Sequence, residues 1–150
     1  MIKESRIAIT GAAGFIGLHL AEFLSGEETN IVFLIDNFAR GIRDKKFAEI
    51  SERKNVEFIE MDLGGDLTRF PKVDYVFHLA SINGTENFYT SPFDVTFSAA
   101  VPTLRLIQHL RGSSVKKLIL SSTSEVYAGA VELGLATVPT NEGTPLVIQS

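Results

Sequence analysis

Three glycines spaced three apart, Gly11, Gly14 and Gly17 in Thr10-Gly-Ala-Ala-Gly-Phe-Ile-Gly17, follow the apolar run Arg6–Thr10 and precede a helical pattern. A strand that must turn at once into a helix restricts the chain to few folds. Glycine lets the backbone turn sharply and lets a pyrophosphate approach main-chain N–H groups at the positive end of the new helix. The predicted ligand is a dinucleotide. Small residues also gather in ordinary strand-to-helix turns, so the spacing needs a second element beside it. The next apolar run, Asn30–Ile35, ends in Asp36, about twenty residues beyond Gly17, the spacing of a ribose-binding acid. A carboxylate there accepts from ribose hydroxyls and repels a 2′-phosphate, which predicts NAD rather than NADP. Arg40 is either a partner for such a phosphate or a solvated loop charge.

Composition narrows the class further. A chain of 150 residues that is 45% apolar can bury one sizeable core. Its net charge of −4, with no Lys/Arg cluster beyond pairs such as Lys45-Lys46 and Lys116-Lys117, argues against a nucleic-acid surface. Without cysteine there are no disulfides or thiolate metal sites. No apolar run is long enough for a membrane span, and glycines interrupt the one stretch that resembles a signal peptide. The expected compartment is the cytoplasm.

Short apolar runs alternate with helical patterns, which predicts α/β architecture and a parallel sheet. The first helix is predicted over Phe15–Ser25, burying Ile16, Leu20, Phe23 and Leu24, with His19 and Glu22 outward and Gly26 as the stop. A charged helix follows within Arg43–Arg53, with Phe47 and Ile50 on one face. Further strands are expected at Val56–Met61, Asp74–Leu79 and Lys117–Ser121. Between the last two, Ser91 as cap, Pro92 at the first helical position and Asp94 in the first turn open a long helix that Gly112 closes. Pro102 inside it predicts a kink or a join between two segments. Right-handed crossovers then give a doubly wound, Rossmann-type sheet of order 3-2-1-4-5. No linker or repeat marks a boundary, so residues 1–150 read as one dinucleotide-binding domain. The polar and glycine-rich segments all fall at the carboxyl ends of strands: Gly11–Gly17, Asp36, Asp62, His78–Ser81 and Ser121–Glu125.

The run Thr10–Gly17, together with Asp36-Asn37, Asp62-Leu63, His78-Leu-Ala80 and Ser122-Thr-Ser-Glu-Val-Tyr127, resembles the extended short-chain dehydrogenase/reductase family. Within it, the chain is similar to the nucleotide-sugar epimerases, dehydratases and decarboxylases. The resemblance implies NAD as cofactor, a nucleotide sugar as substrate and a homodimeric full-length protein. It assigns cofactor contacts to Gly11, Ala13, Gly14, Phe15, Ile16 and Gly17 in the turn, and to Asp36 and Asn37 after the second strand. Asp62 would bond the adenine amino group, with Leu63 adding a main-chain contact, while Leu79, Ala80 and Ser81 line the path toward the nicotinamide. A turn or cap role for Asp62 can coexist with the first. His78 reads as a packed or locally hydrogen-bonded strand residue, and nothing around it has metal or triad spacing.

Chemistry is expected in the run after the fifth strand. Thr123 matches a position that hydrogen-bonds the sugar oxygen undergoing oxidation, and Glu125 resembles the acidic position of dehydratases and decarboxylases. The alternative is that this cluster satisfies turn amides. A Tyr-x-x-x-Lys pair is also expected, but Tyr75, Tyr89 and Tyr127 are followed four residues on by Leu79, Phe93 and Val131. The reading is therefore of a piece of a longer protein, with a sheet incomplete at its C-terminus, a sugar-binding lobe absent and Pro145–Ser150 as an interrupted end. Ala13 replaces the second glycine of the classical G-x-G-x-x-G arrangement, as is normal for the resembled family, whereas Ala99, Pro102 and Ala128 depart from its pattern and Gly129–Thr137 reads as an insertion. The function expected is an NAD-dependent nucleotide-sugar epimerase or dehydratase acting through transient C4 oxidation, inactive as this chain alone. A non-catalytic NAD(P)-sensing module is the alternative.

Overall fold

The computed structural model describes residues 2–81 and 89–147; the last three residues of the closing run lie outside them. The chain divides into two compact units, Met1–Leu120 and Ser121–Ser150. In the first, β1 (Arg6–Thr10), β2 (Ile31–Asp36), β3 (Val56–Glu60), β4 (Tyr75–His78) and β5 (Lys117–Leu120) form one parallel sheet. Its order is β3-β2-β1-β4-β5, as the crossover argument predicts. Thr10 pairs with Ile35 on one side and His78 on the other, so the carboxyl ends of the three central strands lie level.

β1 and β2 are apolar on both faces because both faces are covered. Side chains alternate across a strand. Ile7, Ile9, Val32 and Leu34 join the core under α1 (Phe15–Ser25) and α2 (Lys45–Ser51). Ala8, Phe33 and Ile35 turn the other way, toward Leu63, Leu67 and Phe70 and toward Leu106 of α3 (Pro92–Leu110).

α1 has the bounds predicted but a different buried face. Gly17, Leu18, Ala21, Leu24 and Ser25 are buried, whereas Ile16 and Phe23 are 66% and 61% exposed. Leu20 is half-buried and Leu24 alone is fully buried as expected; His19 is exposed and Glu22 half-buried. The cause is close approach: a Cβ on Gly17 would stand 2.2 Å from the Gly11 carbonyl oxygen. Small residues therefore face the turn, and the bulky ones rotate outward.

α2 is capped by Asp44, whose carboxylate accepts from the Phe47 N–H at 2.8 Å, and buries Phe47 and Ile50 as expected. α3 begins at Pro92, but Ser91 makes no side-chain cap. The helix continues through Pro102 as one segment rather than two. In the second unit a 3₁₀ turn, Ser124–Tyr127, leads into α4 (Ala128–Glu132), over which the chain returns so that Val147 lies against Gly129. Among the described residues no helix is long and apolar enough to cross a membrane.

A polar plug closes the amino-terminal end of β2. Asn30 is fully buried; its Oδ1 accepts from the Ser5 N–H at 3.2 Å, and its amide donates to the carbonyls of Ile2 and Leu24 at 3.1 Å each. Nearby, Arg53 donates to the Glu22 carbonyl and Asn55 to that of Ser25, satisfying the carboxyl end of α1. Asn30→Ala strands a buried donor and two acceptors, and is expected to cost about 2–3 kcal/mol. Urea unfolding at neutral pH measures this; a loss below about 0.5 kcal/mol would show the plug to be dispensable.

Candidate functional site

The level strand ends open onto a cleft of about 370 Å³. Gly11 leaves β1 with φ +70°, donates to the Ile35 carbonyl at 2.9 Å, and packs where a Cβ would stand 2.8 Å from the Ala80 nitrogen. Gly14, the N-cap of α1, offers no side-chain cap, and the first turn carries no acidic residue. The N–H groups of Phe15, Ile16 and Gly17 therefore require acceptors from outside the helix. Gly14 faces the cleft, so the approach to these donors carries no side chain. This arrangement fits an anionic diphosphate.

Asp36 closes β2 and is 9% exposed. Its Oδ2 accepts from the Ala13 N–H at 2.9 Å and its Oδ1 from the Phe38 N–H at 2.7 Å. It lines the cleft beside Asn37 and Arg40. Across from them Asp62 lines the cleft while its Oδ1 accepts from the Gly64 N–H at 2.8 Å, so it has the turn role and not a helix cap. Leu63, Leu79, Ala80 and Ser81 also line it. Of the other turn residues, Ala13 is buried behind the cleft with its N–H on Asp36, Gly17 is buried under the turn, and Phe15 and Ile16 carry exposed side chains.

One wall was not read from the sequence. Phe97, Ser98, Val101 and Pro102 of α3 line the cleft. The available signal was Pro102 itself: a proline inside a helix leaves a carbonyl four residues back without its partner, and that residue, Ser98, also lines the cleft.

His78 ties this wall to the sheet. Thr10 Oγ1 accepts from the N–H groups of Leu79 and Ala80 at 3.3 Å, so its own hydrogen goes to His78 Nδ1 at 2.7 Å. His78 Nε2–H then donates to Thr103 Oγ1 at 2.9 Å, and Thr103 donates to the Ala99 carbonyl at 2.7 Å. The direction of this relay selects one neutral tautomer. His78 is thus the hydrogen-bonded strand residue expected of it. Thr123 and Glu125 belong to the second unit, where Thr123 Oγ1 accepts from the Glu125 N–H at 3.3 Å and both side chains are exposed.

The model of the NAD-dependent epimerase/dehydratase family matches residues 7–148. A UDP-glucuronic acid decarboxylase of Danio rerio is 34% identical over 126 residues, covering 83% of this chain and 28% of that protein. An uncharacterized UDP-glucose epimerase of Bacillus subtilis is 33% identical over 129 residues, 81% of this chain and 41% of the relative. Among solved structures, a UDP-glucuronic acid 4-epimerase from Bacillus cereus, in complex with UDP-glucuronic acid and NAD, superposes with a TM-score of 0.73 at 30% identity. It is matched over 81% of this chain and 41% of its own. The chain thus spans less than half the length of these proteins.

Burial pushes the His78 imidazole below its ordinary value of 6.5. Folding therefore favours the neutral ring, and its contribution is complete above pH 6.5 and lost as pH falls through 6.5 toward the folded value. Melting temperature should fall between about pH 7 and 5.5, and less steeply in His78→Asn. Hydrogen bonds hold the carboxylates of Asp74 and Asp66 below their ordinary 3.8, so their effect begins only nearer pH 4. Identical slopes in the two proteins would contradict the assignment.

Proposed function

The chain belongs to the NAD-dependent epimerase/dehydratase family, and on that premise we propose that the whole protein remodels a nucleotide-diphosphate sugar through transient oxidation at the sugar C4. The observation carrying this reading is the convergence of the glycine turn, Asp36, Asp62 and Leu79–Ser81 on one cleft. Relatives named as UDP-sugar epimerases and decarboxylases support the substrate class. The full-length protein is taken to work as a cytoplasmic homodimer.

In this reading the N–H groups of Phe15, Ile16 and Gly17 receive the pyrophosphate, and Gly11, Ala13 and Gly14 shape the turn that presents them. The Asp36 carboxylate accepts the adenosine ribose hydroxyls and repels a 2′-phosphate, with Asn37 beside it. Asp62 accepts from the adenine amino group and Leu63 contributes its main chain. Leu79, Ala80 and Ser81 wall the path to the nicotinamide. Bound NAD supplies a reversible hydride acceptor. Thr123, both donor and acceptor, follows the sugar oxygen from hydroxyl to ketone. Glu125 moves the proton of the carbon acidified beside that ketone, a role worth about 10²- to 10⁴-fold in rate. A carboxylate at this position favours elimination or decarboxylation over epimerisation.

The 150 residues include no Tyr-x-x-x-Lys pair to take the hydroxyl proton. The purified chain is accordingly expected to bind NAD and to give no product from UDP-sugars, read by chromatography of the nucleotide sugars; cofactor-dependent turnover would refute that part. Asp36→Ala should raise the NAD dissociation constant about tenfold or more, with a smaller change for NADP, because it removes hydrogen bonds to a charged acceptor. Calorimetry of both cofactors measures it, and an unchanged ratio would count against the ribose role. Absence of any NAD binding would count against the cleft.

A further inference from the structure

Phe38 has a φ of 54°, in the left-handed region that a bulky residue rarely occupies. Such a conformation persists where the surroundings impose it, and it gathers at segments that hold ligands. Here the surroundings are an aromatic box. The Phe38 ring centre is 5.3 Å from that of Phe47 on α2 and 5.4 Å from that of Phe58 on β3, and those two are 5.3 Å apart. The Arg43 guanidinium covers the Phe38 ring at 4.3 Å and is itself paired with Glu60. Phe47 is buried in the core beneath α1 and α2, so the Phe38 ring plugs the β2–α2 loop into that core.

The anchored residue bears on Asp36. Its N–H donates to Oδ1, while the Ala13 N–H from the glycine turn holds Oδ2. Two main-chain donors from separate segments thus fix the plane of one carboxylate. The loop then closes back on the turn: Gly41 lies against Ala13, where a Cβ would stand 2.5 Å from the Ala13 Cβ. Asn37, Ala39 and Arg40 are set along the cleft between these two pins, whereas Phe38 does not line it.

We propose that Phe38 is a positioning residue of the dinucleotide site. Its ring, seated against Phe47, Phe58 and Arg43, anchors residue 38 in its left-handed turn and so holds its N–H on Oδ1, which orients the Asp36 carboxylate and thereby sets the preference for a free ribose hydroxyl over a 2′-phosphate. The preference rests on the reading of Asp36 as the ribose ligand; the orientation of Asp36 does not. Without the ring, the loop from Asn37 to Gly41 loses its anchor, the peptide that carries the N–H of residue 38 moves off Oδ1, and the carboxylate rotates. Glycine tolerates the left-handed backbone but supplies no ring, whereas leucine keeps an apolar plug.

The test compares the 150-residue chain with Phe38→Ala, Phe38→Gly and Phe38→Leu by NAD and NADP calorimetry, urea unfolding and residue-resolved amide exchange. In the Ala and Gly variants the NAD dissociation constant is expected to rise about tenfold, and the preference over NADP to fall correspondingly. Phe38→Leu should stay within about threefold of the parent. The amides of Ala13 and position 38 should exchange faster in Ala and Gly while those of Ile7–Ile9 keep their protection. An unchanged cofactor ratio, or exchange rising equally in β1 as a global loss of stability, overturns the proposal. If the parent chain binds no NAD, the cleft reading fails. The exchange rates at Ala13 and position 38 then still decide whether Phe38 orients Asp36: acceleration supports it and unchanged rates overturn it.

Discussion

Gly11 stands where three strand ends meet. Its N–H donates to the last residue but one of β2, and its Cα is pressed so closely on the end of β4 that a methyl group would stand 2.9 Å from the Leu79 carbonyl carbon. This contact keeps β1, β2 and β4 level at their carboxyl ends. From it follow the direction in which α1 departs and the position of Gly17 against the turn. The cleft opens where Gly11, without a side chain, follows the last residue of β1, beside Asp36 at the end of β2 and Leu79 and Ala80 just after β4.

Around that contact the chain fixes its polar groups from the inside. The Asp36 carboxylate receives main-chain donors from the glycine turn and the following loop. The Thr10–His78–Thr103 relay joins β1, β4 and α3 through neutral groups that each direct one hydrogen. In a buried site such full satisfaction sets geometry more than it adds stability, because each unmade bond is costly and each made bond is worth little net. The polar groups of the site are therefore fixed by the protein itself, Asp36 by two main-chain donors.

Much of this was legible along the chain, and the errors have physical causes. Strand order follows from alternation and crossover handedness, which are local and chiral rules, and the structure obeys both. The buried face of α1 does not follow bulk. Ile16 and Phe23 have the right period, but the glycine contact decides the phase and gives the inner face to Gly17, Ala21 and Ser25. Ser91 has the residue type of a cap, yet its backbone, with φ −143° and ψ 59°, is not followed by the side-chain bond. The α3 wall depends on where a distant helix crosses the strand ends: Pro102 marks the helix in the sequence, but nothing in its spacing says which strand ends it meets.

The sequence by itself determined the parallel order, the glycine turn and the rank of acidic residues behind the strands, since these depend on backbone permissiveness and short-range periodicity. Tertiary structure alone decided which of them share a cleft and how Asp36 points. It also decided that Phe38, an ordinary apolar letter in the chain, takes a left-handed turn: its ring belongs to a box built from α2 and β3, and packing across elements outweighs the intrinsic preference of one residue.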